Sequence, residues 1–511
     1  MLSGPSRFST ALFGLVLVLV LLGLGFRIAR MLVDGGSRMA MWPTEDGYFM
    51  LTMGRNVGLG RGLSVAGGEI PTNGTQPLTT FVWAAGYALV GPAREAGVFF
   101  ALVLQVIASA IAAFALFALG KRVFRGREDA TGRAALAAGV WFASPVAMPH
   151  TMNCLETGFY GMMVVFVSLA LLAGEGTRAL WSWKRTVLFG GLLGVAFWVR
   201  NDSAFLIAAS CLAYLWPAIA NPEERRARLA RVFAFGATSV AVASPWLVYN
   251  YVGFGSVMPV SGRAEALTGH LNIAGVPVVI AEYLMGFLPI PHAISDHPAV
   301  QAGAALLVVG VAVTLVLKRS SMRPTERTLL LVGAVYVGLM AFFYGVYFGA
   351  PWFLARYFLP TSPLLALVFA SAVFVGVQWL SERAPLVGRV GRVGLSVAML
   401  GVIVFLSVRQ YRQGHTHPHF HVVQWVEDHV PEETWVGAVQ TGTLGFFHDR
   451  TINLDGKVNL AAFEALVAGR EGAYVVEDTE IEYLVDWIGM RDWMDKPAIA
   501  ENFEILVQDE A

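Results

Sequence analysis

Cysteine is almost missing from this chain. Only Cys154 and Cys211 occur in 511 residues, both in or beside apolar segments, so neither a disulfide framework nor cysteine redox chemistry can be built. Charge is scarce as well, at 14% of residues against 56% hydrophobic. With a mean hydropathy of +0.60, that is more apolar surface than one soluble core can hide, so lipid must be the main solvent. Internal repeats are lacking, and so is the inverted pair of broken helices that marks many secondary transporters, which weakens a transporter reading. A net charge of zero gives no reason to expect a nucleic-acid partner.

That zero joins two unlike parts. From residue 411 onward 19 acidic residues stand against 6 basic ones, whereas the first 410 residues carry 30 basic and 17 acidic. A basic membrane part (1–410) and an acidic tail (411–511) follow. In the tail, a helix at His421–His429, a strand-like run at Trp435–Val439 and turns at Gly442, Gly445 and Gly456 predict a small α/β domain.

A helix needs about 20 apolar residues to cross roughly 30 Å of hydrocarbon. Runs near that length centre on 10–33, 96–120, 133–149, 157–173, 186–200, 203–219, 232–250, 300–317, 328–348, 357–379 and 394–410, which predicts an all-α bundle of about eleven spans. The first run is too long for a signal-peptide core and lacks a cleavage pattern, so it reads as a retained span. Residues 77–91 are apolar but too short, and read as a juxtamembrane or half-inserted helix.

With eleven spans, five basic loops share one side: Lys121 to Arg127, Lys184 and Arg185, Arg225 to Arg231, Lys318 to Arg327, and Arg383 to Arg392. The positive-inside tendency makes that side the cytoplasm. The N-terminus is then inside a bacterial plasma membrane, with loops 34–95 and 251–299 and the tail outside.

The first of these loops gathers acid, base and anion binders. Glu45 and Asp46 follow the first span, and Arg55, Asn56 and a Gly-rich stretch come next. Either carboxylate suits a general base, since a hydroxyl nucleophile must shed its proton. The plainer reading makes them helix-capping acids, which favour helix N-termini electrostatically.

EDGYFMLTMGRNVGLGRGLSVAGGEIPTNGTQPL resembles the acidic-pair, Arg-Asn, Gly-x-Gly and Thr-Asn-Pro-Leu series after the first helix of GT-C membrane glycosyltransferases. It is nearest to the arabinofuranosyltransferase-like branch. NCLETGFYGMMVV, GLLGVAFWVRNDSAFL and ARYFLPTSPLLAL are similar to later stretches of that family. The chain departs from the pattern in having Glu45 before Asp46 and Thr79 where Trp is usual.

The resemblance implies inverting transfer of a pentofuranose or hexose from a polyprenyl-phosphate donor to an extracytoplasmic glycan, lipid or protein. Asp46 would be the base, with Glu45 beside it. Substrate contacts would come from Arg55, Asn56, Thr75, Gln76, Glu156, Arg200, Arg263 and Arg356. A departing lipid phosphate needs fixed cations or a divalent metal, and arginine can bind two of its oxygens. Each arginine alone could equally snorkel to lipid, and Asp202 could simply neutralise Arg200 or cap the next helix. His415, His417, His419 and His421 alternate in a way that could bind a metal, but Pro418 and the nearby membrane favour a tether, so no metal ligands are assigned. A polyprenyl-lipid or glycolipid flippase is the alternative function; it predicts a through-going cavity and gives the acidic loop no role.

Overall fold

The computed structural model describes residues 7–32, 35–174, 176–267, 269–285, 297–317, 319–347, 354–413, 419–486 and 490–508. His415 and His417 lie outside the described residues.

The chain is an integral membrane protein built as a helical bundle. Among the described residues six helices are long and apolar enough to cross a membrane, covering Thr10–Ala29, Arg94–Val123, Pro222–Phe254, Pro324–Tyr347, Leu354–Arg383 and Leu386–Arg412. The other predicted spans are helical but shorter. The bundle helices are α1 (Arg7–Met31), α5 (Arg94–Val123), α6 (Ala130–Ala143), α8 (Thr157–Leu171), α9 (Trp183–Val199), α10 (Ser203–Leu215), α11 (Arg225–Phe254), α14 (Pro298–Leu317), α15 (Pro324–Met340), α17 (Ser362–Arg383) and α18 (Pro385–Gln413). At 1.5 Å per residue, α6, α8, α9 and α10 reach only about 20–26 Å. Glu156 stands at the start of α8, Arg200 at the end of α9 and Asp202 at the start of α10.

Three short helices come from the first loop: α2 (Gly35–Met41), α3 (Glu45–Gly58) and α4 (Pro77–Val90). Residues 77–91 thus form the expected short helix, which packs on α3. The pair β1 (Ser64–Val65) and β2 (Ile70–Pro71) is antiparallel. The short α7 (Ala147–Thr151) precedes α8, while α12 (Val260–Ala266) and α13 (Val276–Met285) come from the second long loop. The turn helix α16 (Leu354–Phe358) leads into α17.

The apolar core runs through α5, α6, α8, α10, α15 and α17, with Leu119, Ala137, Val164, Leu206, Val332 and Ala366 all buried. Charged side chains are among the buried residues of the bundle. Arg27 of α1 is fully buried and donates to the carbonyls of Gly23 and Phe142 at 3.0 and 2.7 Å and to Thr151 Oγ1 at 3.2 Å. Carbonyl dipoles, rather than a carboxylate, satisfy it and fasten α1 to α6 and α7.

The tail is a three-stranded parallel sheet in the order β4-β3-β5, with β3 (Trp435–Ala438), β4 (Thr451–Asn453) and β5 (Ile481–Leu484). Val436 pairs with Thr451 on one side and Tyr483 on the other. One core is filled by Val423 and Val426 of α19 (His419–His429), with Val436 and Leu444. Another joins Ile452, Val475 and Ile499, drawing on α22 (Glu471–Glu477) and α23 (Pro497–Asn502). The helix α20 (Gly442–Phe447) packs on α3, and α21 (Leu460–Val467) meets α12.

Candidate active site

Helix α3 begins at the acidic pair, but neither acid is its side-chain cap. Thr44 Oγ1 accepts from the Gly47 amide at 3.3 Å, so the cap is a hydroxyl. Glu45 and Asp46 are left free to point elsewhere, and they point apart.

Asp46 is hydrogen-bonded to Arg356 of α16. Burial would raise its pKa, but the Arg356 charge and hydrogen bond outweigh this, helped by Lys457 and His419, and hold the carboxyl below its ordinary value. Its side chain keeps 38% of its exposure, enough for a hydroxyl group to reach it.

Beyond Arg356 a line of charges crosses the ends of the short helices. Glu156 stands at the N-cap of α8 without a capping bond, and its carboxylate lies 3.7 Å from Arg200 Nε. Arg200 is 3% exposed and pairs with Asp202 at 2.9 Å. Asp202 in turn accepts from the Tyr344 hydroxyl at 2.8 Å. Tyr344 stacks on Tyr357 with ring centroids 4.0 Å apart, and the Arg200 guanidinium lies 5.3 Å from that second ring. Arg200 Nη1 is buried with no hydrogen-bond partner among the described residues. A guanidinium N–H left unpaired in an apolar bundle is a donor waiting for an anion.

Glu45 faces the tail. Its carboxylate accepts from the amides of Gly442 and Thr443 and from the Thr443 hydroxyl, and His419 Nδ1 lies 3.5 Å away. His421 is exposed.

The other expected contacts divide. Gln76 Oε1 accepts from the Asn201 amide at 3.1 Å, which fixes the α9–α10 turn carrying Arg200. Thr75 bonds Thr80 at 2.6 Å. Arg55 instead reaches Asp449 of the tail at 3.0 Å, alongside Arg94 at 3.0 Å and Arg61 at 3.4 Å. Asn56 closes its own loop through the Ser64 carbonyl. Arg263 lies over Phe463 at 4.5 Å and donates to the Phe254 carbonyl. Arg55, Asn56 and Arg263 are thus joined to neighbouring protein rather than to the line of charges.

Sequence reasoning missed what the tail contributes. Lys457 bonds Glu265 of α12 at 2.7 Å, and its charge acts on Asp46. Beside it burial pushes Asp455 up to about 6, against the pull of Lys457. The glycines of GTLG and DGK are the signal that could have flagged this docking surface.

Among the described residues no three His, Cys, Asp or Glu side chains come together as a metal-holding group. Asp46 and Asp202 are paired with Arg356 and Arg200, and Glu156 lies 3.7 Å from Arg200.

No family model and no curated protein matches the sequence. The structure is similar to ArnT from Cupriavidus metallidurans bound to undecaprenyl phosphate, with a TM-score of 0.58 over 92% of this chain and 89% of that one at 14% identity. It is also similar to the archaeal oligosaccharyltransferase AglB from Archaeoglobus fulgidus, in complex with an inhibitory peptide and a dolichol-phosphate. That TM-score is 0.57 over 94% and 70% of the two chains at 12% identity. The chain has the GT-C fold.

The likeness fixes the fold and does not select the arabinofuranosyltransferase-like branch over others.

Proposed function

We propose that this protein is an inverting glycosyltransferase that moves a sugar from a polyprenyl-phosphate donor to a hydroxyl-bearing acceptor, at the extracytoplasmic face of the membrane. The observation that carries this reading is the Asp46–Arg356 pair set beside Glu156, Arg200 and Asp202, where carboxylate and guanidinium groups meet at the ends of apolar helices. Charges at that depth are kept for a partner or a function.

Arg356 and Arg200 would hold the donor phosphate, and the unpaired Arg200 Nη1 has a proton to give. The acceptor oxygen attacks the anomeric carbon from the side opposite the phosphate, and the carbon–oxygen bond to phosphate breaks. The electron pair leaves on phosphate, where the guanidinium groups balance it. The acceptor proton passes to Asp46. Once a phosphate shares Arg356, the clamp that lowers the Asp46 pKa loosens, so donor binding strengthens the base when it is needed.

The test uses full-length protein with radiolabelled polyprenyl-phosphate pentofuranoses and hexoses. Asp46→Asn should lower turnover by roughly 100- to 10,000-fold with donor binding retained. Arg356→Ala should weaken donor binding by about 1.5–3 kcal/mol. Full activity of Asp46→Asn would remove the base, and failure to transfer any sugar of the panel would remove the function.

A further inference from the structure

Far from this site, one face of α5 changes character along its length. Ile107, Ile111, Phe114, Ala118 and Lys121 follow at spacings of four, three, four and three, and Arg125 stands four further on in the next turn. These intervals keep the first five on one side of the helix. The isoleucines are exposed and Phe114 is 75% exposed. The stripe runs into a cavity of about 610 Å³ between the end of α5, the turn after α8 and the start of α15. Its apolar wall includes Phe114, Phe117 and Leu172, its rim carries Lys121, Arg122 and Arg125, and among the described residues no carboxylate lines it. Arg122 is anchored by one donation to the Leu169 carbonyl at 2.9 Å and Lys121 by one to Thr131 Oγ1 at 2.7 Å, which leaves each with further protons to give.

We infer that this cavity is a binding site for one anionic phospholipid of the surrounding bilayer. The phosphate is held by Lys121, Arg122 and Arg125, and an acyl chain lies along Phe114, Ile111 and Ile107. The order of groups matches such a lipid from headgroup to tail, and basic clefts between membrane helices recognise anionic headgroups in this way. Snorkelling cations alone would need neither a cavity nor an apolar stripe leading into it. The inference is independent of the sugar-transfer reading, because the cavity is lined by none of Asp46, Glu156, Arg200, Asp202 and Arg356.

Full-length protein is reconstituted in vesicles of phosphatidylcholine with phosphatidylglycerol, extracted in mild detergent and weighed by native mass spectrometry. One phosphatidylglycerol per chain is expected to survive extraction. The double variant Lys121→Gln/Arg125→Gln should retain it roughly 10- to 30-fold less well, at about three- to fivefold per cation. Arg225→Gln/Arg226→Gln, altering two exposed cations of the same end of the bundle, should retain it as the parent does. Equal retention in both double variants, equal retention of phosphatidylcholine, or displacement by inorganic phosphate alone would each overturn the site.

Discussion

Two neighbouring carboxylates can be governed by opposite forces, and Glu45 and Asp46 are. Asp46 answers to the charge of Arg356 and stays low. Burial pushes Glu45 up to about 7, and its hydrogen bonds from Thr443 and Gly442 only partly offset this. A carboxyl whose pKa rises on docking prefers its protonated form there. Its contribution is therefore full below its ordinary value of 4.5 and is lost as pH rises through about 7. Hydrogen-exchange protection factors at Gly442 and Thr443 should accordingly fall between about pH 5 and about pH 8, and Glu45→Gln should flatten that profile. A parent profile that is already flat would show that Glu45 does not govern the contact. Sequence reasoning could find such residues but not pair them. Asp46, Glu156, Arg200 and Arg356 stand out because each ends an apolar run, and the fold brings these four together. Arg55 and Arg263 stand out on the same ground yet turn to Asp449 and Phe463, because the partner of a charge is set by tertiary packing that no local pattern encodes.

Periodicity and length made the elements themselves legible. Helices occupy all the expected span positions, and the tail's first helix and first strand lie within two residues of where alternation and glycines put them. Span length was less legible, since a helix that ends inside the bundle on a buried charge has the same apolar core as one that crosses it. The seating of α20 on α3 was not legible at all, because it depends on a close approach of two backbones. A Cβ on Gly442 would come within 2.0 Å of the Glu45 carbonyl oxygen, so this position admits only hydrogen. Gly442→Ala should then loosen the contact by roughly 1–3 kcal/mol, as overpacking does. Limited proteolysis should cut faster at Gly442–Phe447 while the Val436–Ala438 strand stays protected. Unchanged cleavage would mean that the two backbones are not in this contact.

At the scale of the whole molecule, we propose from the positive-inside tendency of the five basic loops that Asp46 and the tail face the outside of the cell. Cysteines introduced near Arg226 or Arg323 should resist a membrane-impermeant thiol reagent in intact cells, whereas cysteines near Gly67 or Glu477 should react. The opposite labelling would put Asp46 in the cytoplasm. The buried Arg27 bears on how such a bundle is assembled. Its acceptors at Phe142 and Thr151 lie 115 and 124 residues later in the chain. At roughly 5–20 residues per second of synthesis, the ribosome takes on the order of 6–25 s to deliver them. The first helix is therefore made well before its arginine can be satisfied in the way the finished protein satisfies it, and the arrival of α6 and α7 is what completes its insertion.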